Sequence, residues 1–201
     1  MSFKIGDNIV YAGSGVCQIE DIKDMSFFKE KPQKYYVLKP LFVTRSQFVY
    51  VPFDNEEQVS RIRPVASKKE AIALIDKLPI DNCSWIEDRN ERKATFTDII
   101  VNGTREDIAG LINLISRHAE KLSKEGKRLN AQDEKALTDA KNRVNNEIAI
   151  ALDMEPDGVA DMIYEKIGLE DFAQTLSENQ QIRYFLLQYL LICDLITAVL
   201  I

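Results

Sequence analysis

The sequence predicts an α+β fold, with an N-terminal small β-barrel of the SH3 or Tudor type followed by a compact all-α domain. Three observations carry this. Residues 1–66 hold four or five short aromatic and β-branched runs punctuated by glycine turns, the pattern of a small barrel. At Ser67 the apolar period lengthens from strand-like to helical. A short linker at 64–67 separates the two regimes, so the chain divides into residues 1–66, residues 67–168 and an atypical tail, 169–201, expected to be an apolar helix.

In the first segment Gly6-Asp7 is turn material leading into Ile9-Val10-Tyr11. Gly13-Ser14-Gly15 is a second tight turn, and in residues 16–22 Cys17 and Ile19 alternate with Gln18 and Glu20. A polar loop, 23–33, precedes KYYVLKPLFVTRSQFVYVP at 34–52, the most strand-like stretch of the chain. Its two apolar runs, 35–38 and 48–51, are expected to pair. Phe48 and Tyr50 point to one face and Val49 and Val51 to the other, so one apolar face or edge is surplus. That surplus either closes inside a barrel or is offered to another protein. Residues 53–60 read as an acidic loop, and Ile62 ends a last short strand before Pro64.

Ser67-Lys68-Lys69-Glu70 is a capping box, followed by Ala71, Ile72, Leu74, Ile75 and Leu78 at helical spacing until Pro79. A second helix is expected from about Trp85 to Val101, closed by Asn102-Gly103. Thr104 opens a third, with Ile108, Leu111, Ile112, Ile115, Ala119 and Leu122 on one face, and Gly126 breaks it. Asn130 caps a fourth with Ala136, Leu137, Ala140, Val144, Ile148, Ala151 and Leu152 on its face. Pro156-Asp157-Gly158 is expected to end it, before a short helix at 159–167.

Residues 182–201, IRYFLLQYLLICDLITAVLI, are long enough to cross a bilayer at about 1.5 Å per residue. Arg183, Gln188 and Asp194 oppose that, since a central carboxylate costs roughly 3 kcal/mol on insertion. The segment is therefore expected to pack on the helical domain or on a second copy of the chain, and not to anchor it in a membrane.

A net charge of −6 excludes a surface that grips nucleic acid all over, so any such contact must be local. Cys17, Cys83 and Cys193 are an odd number without a CxxC pair, which predicts buried thiols, a reducing compartment and no zinc. The N-terminus lacks the profile of a secretory signal, and a cytoplasmic protein is expected. His118 is the single histidine, so any histidine-based metal or catalytic site must run through it. Glu87-Asp88 and Glu106-Asp107 fall at helix N-termini, where negative charge suits the macrodipole. Asp153, Glu155, Asp157 and Asp161 miss the spacing of a calcium loop. No catalytic constellation and no cofactor are expected.

Two features could bind nucleic acid. Arg117, Lys121, Lys124 and Arg128 follow one another at i, i+4, i+7 and i+11, a basic stripe that could meet phosphates or simply be a solvated face. Trp85, the sole tryptophan, stands near Arg89 and Arg92, and could stack on an opened base step or serve as an ordinary core ring.

The order of these residues resembles a family. Phe3-Lys4-Ile5-Gly6-Asp7, Val10-Tyr11-Ala12-Gly13-Ser14-Gly15-Val16, Tyr35-Tyr36-Val37-Leu38 and Val49-Tyr50-Val51-Pro52, with an arginine at Arg61 or Arg63, resemble the opening of the CarD/CdnL transcription regulators. Arg92, the Asn102-Gly103 break, Leu129-Asn130-Ala131-Gln132-Asp133-Glu134-Lys135 and Glu147-Ile148-Ala149 extend the match to about residue 168. Ala12 stands where the family usually has proline, and Trp85 lies about one helical turn further from the break than the family tryptophan. The resemblance implies a Tudor-like domain that docks on the β subunit of bacterial RNA polymerase, here through Lys23, Lys39, Arg45, Tyr50, Val51 and Pro52. It implies a helical domain that touches promoter DNA at the upstream edge of the bubble, here through Trp85, Arg89, Arg92, Arg117, Lys121 and Lys124, and stabilises the open complex without catalysing a reaction. The alternative is the same docking with a helical domain that mediates protein interaction or dimerisation without DNA.

Overall fold

The computed structural model describes residues 3–26, 31–43 and 47–167 of the chain. Expectations for Arg45 and for the apolar tail lie outside these residues. The residues up to Val159 make one compact unit.

Five antiparallel strands form one sheet: β1 (Asn8–Tyr11), β2 (Gly15–Met25), β3 (Gln33–Pro40), β4 (Val49–Pro52) and β5 (Ile62–Pro64), in the order β4-β3-β2-β1-β5. This is the strand order of a Tudor-like sheet, with β4 and β5 as its two ends. The β1–β2 hairpin turns through Ala12–Ser14, and Gly15 supplies the positive φ of 73° that returns the chain. Ile9, Cys17, Ile19, Tyr36, Leu38, Val51 and Ile62 close a core on one face, and Tyr36 stacks on Phe53 at 4.1 Å. Burial pushes the Cys17 thiol up to about 11, with the Arg143 charge pulling the other way. Val10 and Val16, paired in register, are buried as well, and β2 packs on the longest helix.

Two corrections concern this half. β2 and β3 run on into the expected polar loop, pairing Lys23 with Tyr35 and Asp24 with Lys34 past a bulge at Ile19/Asp21. Polar residues do not end a strand in a two-stranded ribbon that solvent reaches. The expected loop at 53–60 contains a short helix, α1 (Glu56–Ser60), because the Asn55 side chain accepts from the Gln58 amide at 3.0 Å.

The helices are α2 (Lys68–Asp76), α3 (Arg89–Asn102), α4 (Arg105–Lys124), α5 (Ala131–Leu152) and α6 (Pro156–Ile167). Ser67 and Thr104 each complete a capping box, and Asn130 accepts from the amides of Gln132 and Asp133. α3 begins later than expected because the Asp88 side chain takes the amides of Asn90 and Glu91 at 2.9 and 2.8 Å, leaving Trp85 in the segment before the helix. Pro156 starts α6 and does not terminate α5, which stops at Asp153 with φ 56°. Phe96, Leu111 and Ile115 form the core of the α3–α4–α5 packing, with Trp85, Leu114, Leu129 and Leu137 against it. α5 touches α2, α3, α4 and β2, and so ties the helices to the sheet.

Candidate functional site

The stretch 48–52 supplies a sheet edge. Among the described residues β4 is the end strand of the sheet, pairing with β3 in the register Tyr36↔Val51 and Val37↔Tyr50. Val51 is 0% exposed and belongs to the core, which removes its side chain from any docking surface; strand alternation then turns Tyr50 outward, 38% exposed, beside Phe48 at 45%. Pro52 is half-buried at the strand end. Lys39 is half-buried and Lys23 exposed, and they pair loosely with Glu20 and Asp21, at 3.9 and 3.5 Å. Such pairs are nearly neutral in energy and leave the cations available to a partner.

Sheet and helices meet at a buried carboxylate. Glu147, on the inner face of α5, accepts two bonds from Arg63 of β5 at 2.6 and 2.7 Å, one from Arg105 Nε at 2.7 Å and one from the Ala66 amide at 3.1 Å. Burial works to raise its pKa, but the bonds and charge of Arg63 and then Arg105 outweigh it and hold the carboxyl below its ordinary value.

Trp85 is half-buried. Its ring stacks on His118 with centroids 3.6 Å apart and 15° between planes, meets Phe96 edge-on at 6.0 Å, and has the Arg92 guanidinium carbon 4.6 Å from its centroid. Arg92 was expected on a DNA-facing surface; it is 6% exposed instead. Its Nε and Nη2 donate to the two oxygens of buried Asp133, at 3.1 and 3.0 Å, and its Nη1 donates to the carbonyls of Ile86 and Glu87. The guanidinium is thus consumed in holding the segment after Trp85. Arg89, at the first position of α3, stays exposed, with its carbonyl taking a bond from Gln132.

The basic stripe is shorter than its spacing promised. α4 ends at Lys124 and Gly126 turns the chain with φ 71°, so Arg128 leaves the helix face. Arg117 bonds Asp81 at 3.1 Å and Lys124 bonds Glu120 at 2.7 Å, both exposed pairs. Lys121 lies between them on the same helix. Glu147, Asp133 and His118 are the site residues that spacing alone missed. Charges at two of the core positions of α5, Asp133 and Glu147 among Ala140, Val144 and Ile148, were the available signal for the first two. Among the described residues no group of His, Cys, Asp and Glu is placed to hold a metal ion, and no helix is long and apolar enough to cross a membrane.

Residues 3–65 match the CarD-like/TRCF RID domain, a domain that interacts with RNA polymerase. Over 148 residues it is 28% identical to a Bacillus subtilis (strain 168) protein described as "Putative transcription factor YdeB", an alignment that covers 74% of this chain and 91% of that one.

Proposed function

We propose that this protein is a non-catalytic transcription regulator that docks on the RNA polymerase β subunit with the β4 edge and brings its helical part to promoter DNA at the upstream edge of the bubble. In this reading residues 1–66 dock and residues 67–168 meet the DNA. The observation that carries it is β4 itself: the end strand of the described sheet in a polymerase-interacting domain, with Phe48 and Tyr50 exposed beside it. A partner strand can add there, with main-chain bonds for affinity and side-chain pockets for specificity. Lys39 of β3, beside the β4 strand, and Lys23, one strand further in on β2, tune the encounter with an acidic partner surface.

Trp85, Arg89, Arg117, Lys121 and Lys124 are the proposed DNA-side residues; Arg92 supports them from inside. The net charge of −6 makes binding to free DNA weak, so polymerase supplies the local concentration. Contacts that favour the melted form by about 1.4 kcal/mol shift its population tenfold, and contacts equal for both forms shift nothing. The test is the lifetime of the open complex with the full chain and with Trp85→Ala. A shorter lifetime at unchanged polymerase binding is expected.

A second reading keeps the docking edge and gives the helical part a protein partner in place of DNA. The packing of Trp85 against Phe96 and His118 favours it, because a ring so engaged serves a core as well as a contact. An unchanged lifetime in Trp85→Ala would select this reading.

A further inference from the structure

Trp85 sits in an irregular segment between α2 and α3, with no strand or helix of its own to fix it. α4 fixes it instead. Gly110, Asn113, Arg117 and His118 fall at i, i+3, i+7 and i+8, which is one face of a helix. Each meets the segment in turn. A Cβ at Gly110 would lie 1.6 Å from Asn82 Oδ1, so the glycine leaves room for the Asn82 side chain to lie against α4. Asn113 Nδ2 donates to the Ile80 carbonyl at 2.8 Å, Arg117 Nη1 donates to Asp81 Oδ2 at 3.1 Å, and His118 lays its ring on the indole. Arg117, first of the basic stripe, is therefore partly a strap for this segment.

We propose that His118 is the positioning residue for Trp85, seating the indole on α4 so that it meets the DNA fork in one orientation. This rests on the DNA-contacting reading above and adds the residue that prepares the contact. A ring already held in place loses less freedom on binding than one that must be ordered at the moment of contact. Removing the imidazole frees the indole while Trp85, Arg117 and Lys121 themselves stay unsubstituted.

Trp85 is the only tryptophan, so indole fluorescence of the full chain reports this one ring. His118→Ala, His118→Phe and Trp85→Ala are compared by acrylamide quenching, where the tryptophan remains, and by open-complex lifetime with polymerase. His118→Ala is expected to make the indole more accessible to acrylamide and to shorten the lifetime about two- to tenfold, the factor an aromatic pair is worth. His118→Phe, which keeps a flat ring, restores both. Unchanged quenching in His118→Ala overturns the seat. Increased quenching with an unchanged lifetime, while Trp85→Ala does shorten it, overturns the positioning role and leaves the DNA reading standing. If Trp85→Ala also leaves the lifetime unchanged, the DNA reading fails and this inference fails with it.

Discussion

Arg63 and Glu147, 84 residues apart in the chain, face each other through two parallel N–H···O bonds of 2.6 and 2.7 Å, and that pair is where the sheet is fastened to the helices. Both oxygens of Glu147 are used, and Arg105 and the Ala66 amide share one of them. Removing a single member of a buried ionic group leaves the others unpaired, which costs more than the pair was worth. Arg63 and Arg105 keep some solvent access, so Glu147→Ala is expected to lower stability by about 2–4 kcal/mol, the lower part of the range for a broken buried pair. Urea denaturation at neutral pH measures it; a loss below 1 kcal/mol would mean that the apolar contacts of α5 hold the joint alone.

The same carboxylate gives stability a pH dependence of known sign. Folding holds the Glu147 carboxyl below its ordinary value of 4.5, so in acid the unfolded chain binds the extra proton. Its contribution is complete above that value and is lost as the pH falls through the lower folded one. The urea midpoint of Glu147→Gln, compared with the parent at pH 7 and again below pH 4, isolates this group from other carboxylates such as Asp107 and Glu70 whose pKa values are also lowered by their capping hydroxyls and amides. The gap between the two proteins should shrink in acid.

Arg92 and Asp133 form the second internal ionic group. Two bonds to the carboxylate and two to the carbonyls of Ile86 and Glu87 use the full fork of the guanidinium. A lysine has the charge but not the fork. Arg92→Lys is therefore expected to be destabilised by about 2–3 kcal/mol, approaching the 3–5 kcal/mol of a removed partner, and to red-shift the indole emission as the segment after Trp85 loosens. Thermal denaturation and fluorescence on the same sample read both effects.

Neighbouring residues of β4 should behave oppositely. Val51 is fully buried and Tyr50 is exposed. Val51→Ala removes packed methyl groups and costs about 2–3 kcal/mol. Tyr50→Lys costs about 1 kcal/mol or less, yet is expected to weaken binding to polymerase at least tenfold if the edge is the docking surface, since a buried interface contact of this size is worth over 1.4 kcal/mol. Titration of polymerase with each folded variant separates them.

Much of this was legible in the chain. Strand alternation, glycine turns and the caps Ser67, Thr104 and Asn130 act within a few residues, so spacing reveals them. α1 was not legible, because residues 53–60 read as an acidic loop; the start of α3 was set at Trp85 although Glu87-Asp88 was placed at a helix N-terminus, and only the hydrogen-bonded amides identify Asn55 and Asp88 as the caps. For the site, alternation said that Tyr50 and Val51 face opposite ways but not which faces in. The motif residues Asp133 and Glu147 could be seen as charges among apolar neighbours, whereas their partners Arg92 and Arg63 are 41 and 84 residues away. No local pattern carries such a distance. The stack of His118 on Trp85 likewise exists only because α4 folds back under the segment.

Gly110 lets two opposing effects be weighed in one substitution. Within a helix, alanine in place of glycine gains about 1 kcal/mol from lower chain entropy in the unfolded state and a better helix former. Against that, the new methyl group overlaps Asn82 Oδ1 at 1.6 Å and Asn82 Cγ at 2.8 Å. The side chain must swing away, losing its bond to Asp107 at 3.3 Å and disturbing the backbone that leads to Trp85. A lost hydrogen bond of about 1 kcal/mol offsets the helix gain, so the net stability of Gly110→Ala should lie within about 1 kcal/mol of the parent. The indole, by contrast, should move: acrylamide quenching and emission wavelength change although the fold does not weaken. A variant that is stabilised by the full helix increment with unaltered fluorescence would show Asn82 turning aside without carrying the segment along, and would reduce the close approach at Gly110 to ordinary packing.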